Sequence, residues 1–244
     1  MSSALPVRAF QHPFAHRLLR AATECVYLQQ ENMPVKMLLV ATSLIMLFHG
    51  GETTNPSQNF FADNLLDFIP RDSFPLQDVG FEVDVLNDTV LHVFPFELVN
   101  GTAWRFRRRV QREGDCLKTW SAGTVTISCD LSFAGLMAKY DLEPVVPGGD
   151  SRSLQFFVRE GHGEMEIAAT QGRPTQLTAF RLYSLKMAMK EMDSILIHPD
   201  VDVIFAAKAT ENAERTLWEA LVILYAGMIR EMLASISPRS ASVG

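Results

Sequence analysis

Ala220-Leu-Val-Ile-Leu-Tyr-Ala-Gly-Met-Ile229 is a run of ten residues without a charge, near the end of a 244-residue chain. It lies inside a stretch, Asp200 to Ser235, whose spacing predicts one long helix. On an ideal helix Lys208, Glu211, Arg215 and Glu219 share one face at i+3/i+4 spacing. Further along, Val222 and Ala226 stand where that polar stripe would continue. A helix that is apolar all round is buried on all sides. Ten residues fall far short of the roughly 20 that a bilayer span requires. The run therefore needs cover, from the rest of the chain, from a partner or from a lipid.

The chain can supply that cover. Apolar residues make up 48% and charged residues 20% of it, proportions that suit a folded core rather than a disordered chain. The formal charge of −6 is uneven: residues 1–51 hold four basic and two acidic groups, leaving 18 basic and 26 acidic beyond, a net −8. That balance argues against nucleic acid, which rewards a basic face.

Met33-Pro-Val-Lys36 followed by the apolar run Met37 to Phe48 has the dimensions of a signal peptide rather than of a transmembrane helix. We read 33–51 as that signal and 1–32 as a non-native or disordered extension upstream of a start at Met33. A buried core helix or a signal anchor is the other way to read the run. Two acceptor patterns, Asn87-Asp-Thr89 and Asn100-Gly-Thr102, fit N-glycosylation in surface loops of a secreted, extracellular protein. Past the leader only Cys116 and Cys129 remain of three cysteines, and an even pair in an oxidising compartment most often bridges. Two buried thiols are the alternative.

Upstream of the helix the period is mostly two. Asn59 to Ile69 first reads as a short helix with Phe61, Leu65, Phe68 and Ile69 on one face, stopped by Pro70. Phe81, Val83 and Val85 then alternate with Glu82 and Asp84, the pattern of a half-buried strand. Val90 to Leu98 is strand-like, with Pro95 marking an edge or a bulge. Trp104 to Arg112 is read as a strand with Arg105, Arg107 and Arg109 on one face, a surface that could grip anionic lipid or glycan or could simply be solvated. Thr124 to Phe133 alternates most cleanly and turns Cys129 inward, so a bridge to Cys116 would staple adjacent strands across the Trp120–Gly123 turn. Leu136–Leu142 follows, then a loop at Pro144–Ser151. Ser153–Arg159, Gly163–Thr170 and Thr175–Tyr183 read as three further strands. From Ser184 the spacing of Leu185, Met189, Met192 and Leu196 predicts a helix, closed by His198-Pro199 before the long one. About seven strands with short connections imply antiparallel neighbours. The expected fold is α+β, a single highly curved antiparallel sheet wrapped around a long C-terminal helix.

This order resembles the group 7 mite allergen family, which is similar to half of the bactericidal/permeability-increasing (BPI), lipid-transfer type of fold. The resemblance is carried by Arg107-Arg-Arg-Val-Gln-Arg-Glu-Gly114, Met137-Ala-Lys-Tyr-Asp-Leu142, Gly163-Glu-Met-Glu-Ile167, Gln176 to Leu182, and Asp200-Val-Asp-Val-Ile-Phe205 leading into Thr216–Leu233. It spans roughly Phe81 to Ser235. The chain departs from that family at its beginning, where only Asn59–Ile69 stands for a longer N-terminal helix. The resemblance implies a secreted binder of lipid or another hydrophobic ligand, with 52–244 as a single lipid-binding-like domain.

The expected apolar lining is Phe133, Met165, Phe180, Leu182, Met189, Met192, Leu217, Leu221, Leu224, Tyr225 and Met228. Methionine adapts to variable apolar ligands, although the same residues at this spacing also make a plain core. Attachment to an anionic microbial or host surface through Arg105, Arg107 and Arg109 is the competing reading. An enzyme is the weakest. His162, Glu164 and Glu166 would share a strand face, but a metal site needs further ligands, and His162 reads better as a turn residue. No nucleophile elbow, P-loop or H-E-x-x-H is present. No cofactor or metal is expected.

Overall fold

The computed structural model describes residues 56–87, 90–143, 152–170, 173–190 and 199–236, all within the compact unit Leu38–Gly244. The expected extension and signal peptide, the Pro144–Ser151 loop, Met192 and Leu196 lie outside these residues.

Helix α1, Pro56–Asp67, forms on the face read from its spacing: Phe61, Leu65 and the following Ile69 are buried and Phe68 half-buried. Eight strands follow among the described residues: β1 Ser73–Pro75, β2 Val79–Asn87, β3 Val90–Trp104, β4 Gln111–Ser121, β5 Thr124–Ser132, β6 Met137–Leu142, β7 Arg152–Thr170 and β8 Gln176–Met189. Every pairing between them is antiparallel. Pro95 sits on β3 opposite Glu82 of β2, before β6 joins the other side of β3 at Leu98, so its missing N–H falls at an edge.

Strand β7 is the spine. On one side it pairs with β8; on the other it pairs first with β6 and then with β5, which continue one another end to end. It is one strand of 19 residues where the sequence suggested two separated at Gly161. The apparent break is a bulge between Val158 and Glu160. Inward residues are Leu154, Phe156 and Val158 before it, and Gly161, Gly163, Met165, Ile167 and Ala169 after it. One extra residue moves the inward set from even to odd numbers, which breaks the period without breaking the strand. Gly163 is required there, since a Cβ would strike the Arg181 carbonyl on β8.

Two further segments depart from their local pattern. Ser184–Met189, expected to be helical, extends β8, with Leu185 and Met187 buried at strand spacing. Trp104–Arg112 is not one strand. Arg105 takes a left-handed conformation at φ 75°, Phe106–Arg109 make a helical turn (α2), and β4 begins at Gln111. Phe106 and Val110 are both buried at the two ends of this turn.

The cysteine pair is bridged, Cys116 on β4 to Cys129 on β5, with Cα atoms 4.3 Å apart. It spans the hairpin closed by Ala122 and Gly123, both at positive φ. Asn100 lies exposed on β3 rather than in a loop. It adopts φ 54° at a register shift, its N–H donates to Asp78 Oδ1 (2.8 Å), and its Nδ2 donates to Asp141 Oδ2 (3.4 Å). Gly101 beside it is fixed by packing, because a Cβ there would overlap the Tyr140 ring.

The long helix runs from Pro199 to Ile236 as α3 (Pro199–Ala220), a π-helical turn (Leu221–Tyr225) and α4 (Ala226–Ile236). Both β2 and β8 contact α3. These are opposite edges of the order β2-β3-β6-β7-β8, and a flat sheet would hold them roughly 19 Å apart at about 4.8 Å per strand. The sheet is therefore curved around the helix. The helix also reaches the backbone of both of these edge strands. Lys208 Nζ donates to the Glu82 carbonyl of β2, and Glu214 Oε2 accepts the Met187 N–H of β8 (3.1 Å). Unpaired edge groups invite association with other chains, and here side chains of α3 take them up.

Candidate functional site

The uncharged run Ala220–Ile229 is not enclosed on all sides. Leu221, Tyr225, Ala226 and Ile229 are buried, while Val222 is 36% and Ile223 56% exposed. Along α3 the buried face is Phe205, Ala209, Ala213, Leu217 and Leu221. Continuing that four-residue spacing brings Tyr225 inward, and an α-helical ladder would bond the Ala226 N–H to the Val222 carbonyl. The Ala226 N–H instead reaches back to the Leu221 carbonyl, an i−5 step that inserts one residue into the turn. The buried face shifts to Tyr225, Ala226, Ile229 and Leu233, and Leu224 and Met228 are left half-buried at its margin. Val222 and Ile223 belong to neither the buried face nor its margin, so the run is apolar all round without being buried all round.

A row of rings crosses this region. Phe133, just past β5, meets Phe180 of β8 edge-on at 6.2 Å, and Phe180 lies 5.9 Å from Tyr225. Tyr225 stacks on Phe106 at 5.6 Å and meets Phe74 of β1 at 6.2 Å, with Phe74 and Phe106 4.6 Å apart. Phe74 and Phe106 were not among the lining residues read from the sequence. Phe74 belongs to a three-residue strand too short to show a period, and Phe106 hides between arginines.

Among the expected lining residues, Phe133, Met165, Leu217, Leu221 and Tyr225 are fully buried. Phe180, Leu182, Leu224 and Met228 are half-buried against the same core. Met189 is also half-buried but does not join this group. It pairs opposite Phe156, nine residues along β8 from Phe180, roughly 30 Å of strand at about 3.3 Å per residue. The sequence-derived set thus merges the Tyr225 region with the other end of β8.

Tyr225 carries the one polar group in the row of rings. Its hydroxyl is buried and has no hydrogen-bond partner among the described residues. Burial, with a smaller contribution from the Asp67 charge, holds the phenol well above its usual range, so it stays neutral. A neutral buried phenol is a hydrogen-bond donor in apolar surroundings, where an unmade bond costs about 1–3 kcal/mol.

Arg105, Arg107 and Arg109 do not share a strand face, because Arg105 is left-handed and Arg107 and Arg109 lie on the turn α2. Arg107 turns back to α1, donating from Nε to the Ile69 carbonyl and from Nη2 to the Pro70 carbonyl (2.8 Å each), while its N–H donates to Asp72 Oδ1. Arg109 lies over Gly135, where a Cβ would come within 3.1 Å of its Cδ. Arg112 grips Asp63 of α1 with two bonds of 3.0 Å. Arg112 thus ties α1 to β4, and Arg107 holds the segment that follows α1.

His162, Glu164 and Glu166 do follow one another on the outer face of β7, so His162 is a strand residue and not a turn residue. Each has a separate engagement. His162 Nδ1 lies 2.9 Å from Glu113 Oε2, and Glu166 Oε1 accepts from Thr178 (2.6 Å). Glu164 accepts from Ser128 (2.6 Å), Tyr183 and Arg181 (2.8 Å), and the Ser128 bond leads in holding its carboxyl down at about 2. No group of three or more His, Cys, Asp or Glu gathers as a metal site among the described residues. No described helix is long and apolar enough to cross a membrane. No protein-family model matches the chain, and no curated protein matches it either.

Proposed function

We propose that the protein is a secreted, non-catalytic carrier of a lipid or other hydrophobic ligand, held between the curved sheet and the long helix beside Tyr225. The observation that carries the reading is the half-buried apolar margin of Phe180, Leu182, Leu224 and Met228 beside the fully buried Tyr225. These side chains from an edge strand and from a π-turn can separate without breaking strand pairing inside the sheet. Binding sites of this kind are mostly apolar with few polar groups, and a π-turn recurs at functional places in helices. The resemblance to the group 7 mite allergens, and through them to the BPI-like half-fold, supports the same reading. So do the leader-like segment, the glycosylation patterns at Asn87 and Asn100, and the disulfide.

Attachment to anionic lipid or glycan through Arg105, Arg107 and Arg109 loses its support, since the three do not share a strand face. Native mass spectrometry of the protein secreted from eukaryotic cells tests the carrier reading. The expected result is a non-covalent adduct of lipid mass, together with saturable uptake of a fluorescent fatty acid. Bare polypeptide and glycan mass, with no uptake, would remove the reading.

A further inference from the structure

The unpartnered hydroxyl of Tyr225 narrows the chemistry of what binds there. Its ring is packed between Phe106, Phe74 and Phe180 at 5.6, 6.2 and 5.9 Å, and those rings offer no acceptor stronger than a π face. Phenylalanine would satisfy the same packing without burying a hydroxyl. The π-turn is a second, independent observation. It ends on Tyr225, which is fully buried, while Leu224 and Met228 on either side of it stay at the margin.

We infer that the Tyr225 hydroxyl donates a hydrogen bond to an oxygen acceptor on an otherwise apolar ligand. This rests on the carrier reading and specifies it further: the ligand has a long hydrocarbon part and a neutral carbonyl, ester or ether oxygen that enters first. A carboxylate suits the place less well. Burying its charge is costly without a cationic partner, and the nearest charge that acts on Tyr225 is the negative one of Asp67. The ligand enters between β8 and the helix by displacing the Phe180, Leu224 and Met228 side chains, and its oxygen stops at the phenol.

The test compares methyl palmitate with hexadecane as displacers of a fluorescent apolar probe from the full secreted chain. The wild-type protein should prefer the ester by about three- to ten-fold, the worth of one net hydrogen bond. Tyr225→Phe should bring the ester to within about two-fold of the alkane and leave alkane affinity unchanged. The ester carbonyl stretch, shifted to lower frequency in the wild-type complex, should return towards its value in hydrocarbon. Equal affinity of the wild type for both ligands overturns this inference alone and needs no variant to fold. A preference that survives in Tyr225→Phe also overturns it. Failure of both ligands to displace the probe overturns the carrier reading, and this inference with it.

Discussion

Tyr140 of β6 and Thr216 of α3 share a buried hydrogen bond of 2.6 Å, the polar tie between the centre of the sheet and the helix it surrounds. Thr216 Oγ1 also lies 3.0 Å from the Ala213 carbonyl, and the Tyr140 hydroxyl lies 3.3 Å from the Gln77 carbonyl. Burial pushes the Tyr140 phenol up to about 12, against a smaller opposing effect of the Thr216 bond. In contrast with Tyr225, its hydroxyl is satisfied. The neutral phenol thus serves structure at one point of the helix and is left unused at another, two and a half turns away.

Tyr140→Phe should lower unfolding free energy by about 1 kcal/mol, and Thr216→Val by about 1–3 kcal/mol, because the second leaves Tyr140 with only the 3.3 Å contact to the Gln77 carbonyl. Urea denaturation of the two single variants and the double checks this. The double variant should lose less than the two single losses combined, since removing both partners leaves no orphaned group.

Reduction of the Cys116–Cys129 bridge, or the paired change Cys116→Ala with Cys129→Ala, should destabilise the fold by about 3 kcal/mol. The bridge closes a short loop, with a sequence separation of 13, inside a hairpin. Thermal unfolding with and without reductant measures the loss. An unchanged midpoint would mean that hairpin pairing alone already restrains the unfolded chain.

The Glu164 carboxylate has a folded pKa of about 2, below an unfolded value of roughly 4.3. Its network therefore stabilises the protein above about pH 4, and that contribution is lost as pH falls through the folded value. Arg181 and Tyr183 are exposed, so screening limits the gain to about 1 kcal/mol. Unfolding followed from pH 7 to pH 3 should show a steeper decline for the wild type than for Glu164→Gln.

Leu221 and Ile223 separate the two sides of the uncharged run. Leu221→Ala should cost about 2–5 kcal/mol, since the residue is fully buried. Ile223→Gln should change stability by no more than about 0.5 kcal/mol. Chemical denaturation decides between this and a helix enclosed all round, which would make both changes severe.

Legibility in the sequence followed how local each cause is. The alternation of Val125, Ile127, Cys129 and Leu131 reports a strand whose two faces differ, and the structure has that strand with those residues buried. The α1 face, the inward set of β6 and the C-terminal helix were equally legible. At the candidate site, Phe133, Phe180, Leu221 and Tyr225 could be named in advance because each continues the apolar period of a strand or helix. Phe74 and Phe106 could not, since one lies on a three-residue strand and the other on a single helical turn.

What the sequence by itself determined is the α+β class, the antiparallel pairing of neighbours and the apolar character of the last helix. Each depends on side-chain period, connection length or composition, which are properties of short stretches. Tertiary structure alone decided three other matters: the bulge that joins two apparent strands into β7, the turn at Arg105–Arg109, and the π-turn beside which Ala226 rather than Leu224 is buried next to Tyr225. Each inserts or redirects about one residue, and the gain that offsets the local cost comes from rings and strands distant in sequence. The helical period around Val222 and Ala226 cannot reveal that shift, because after an inserted residue the same letters point a different way.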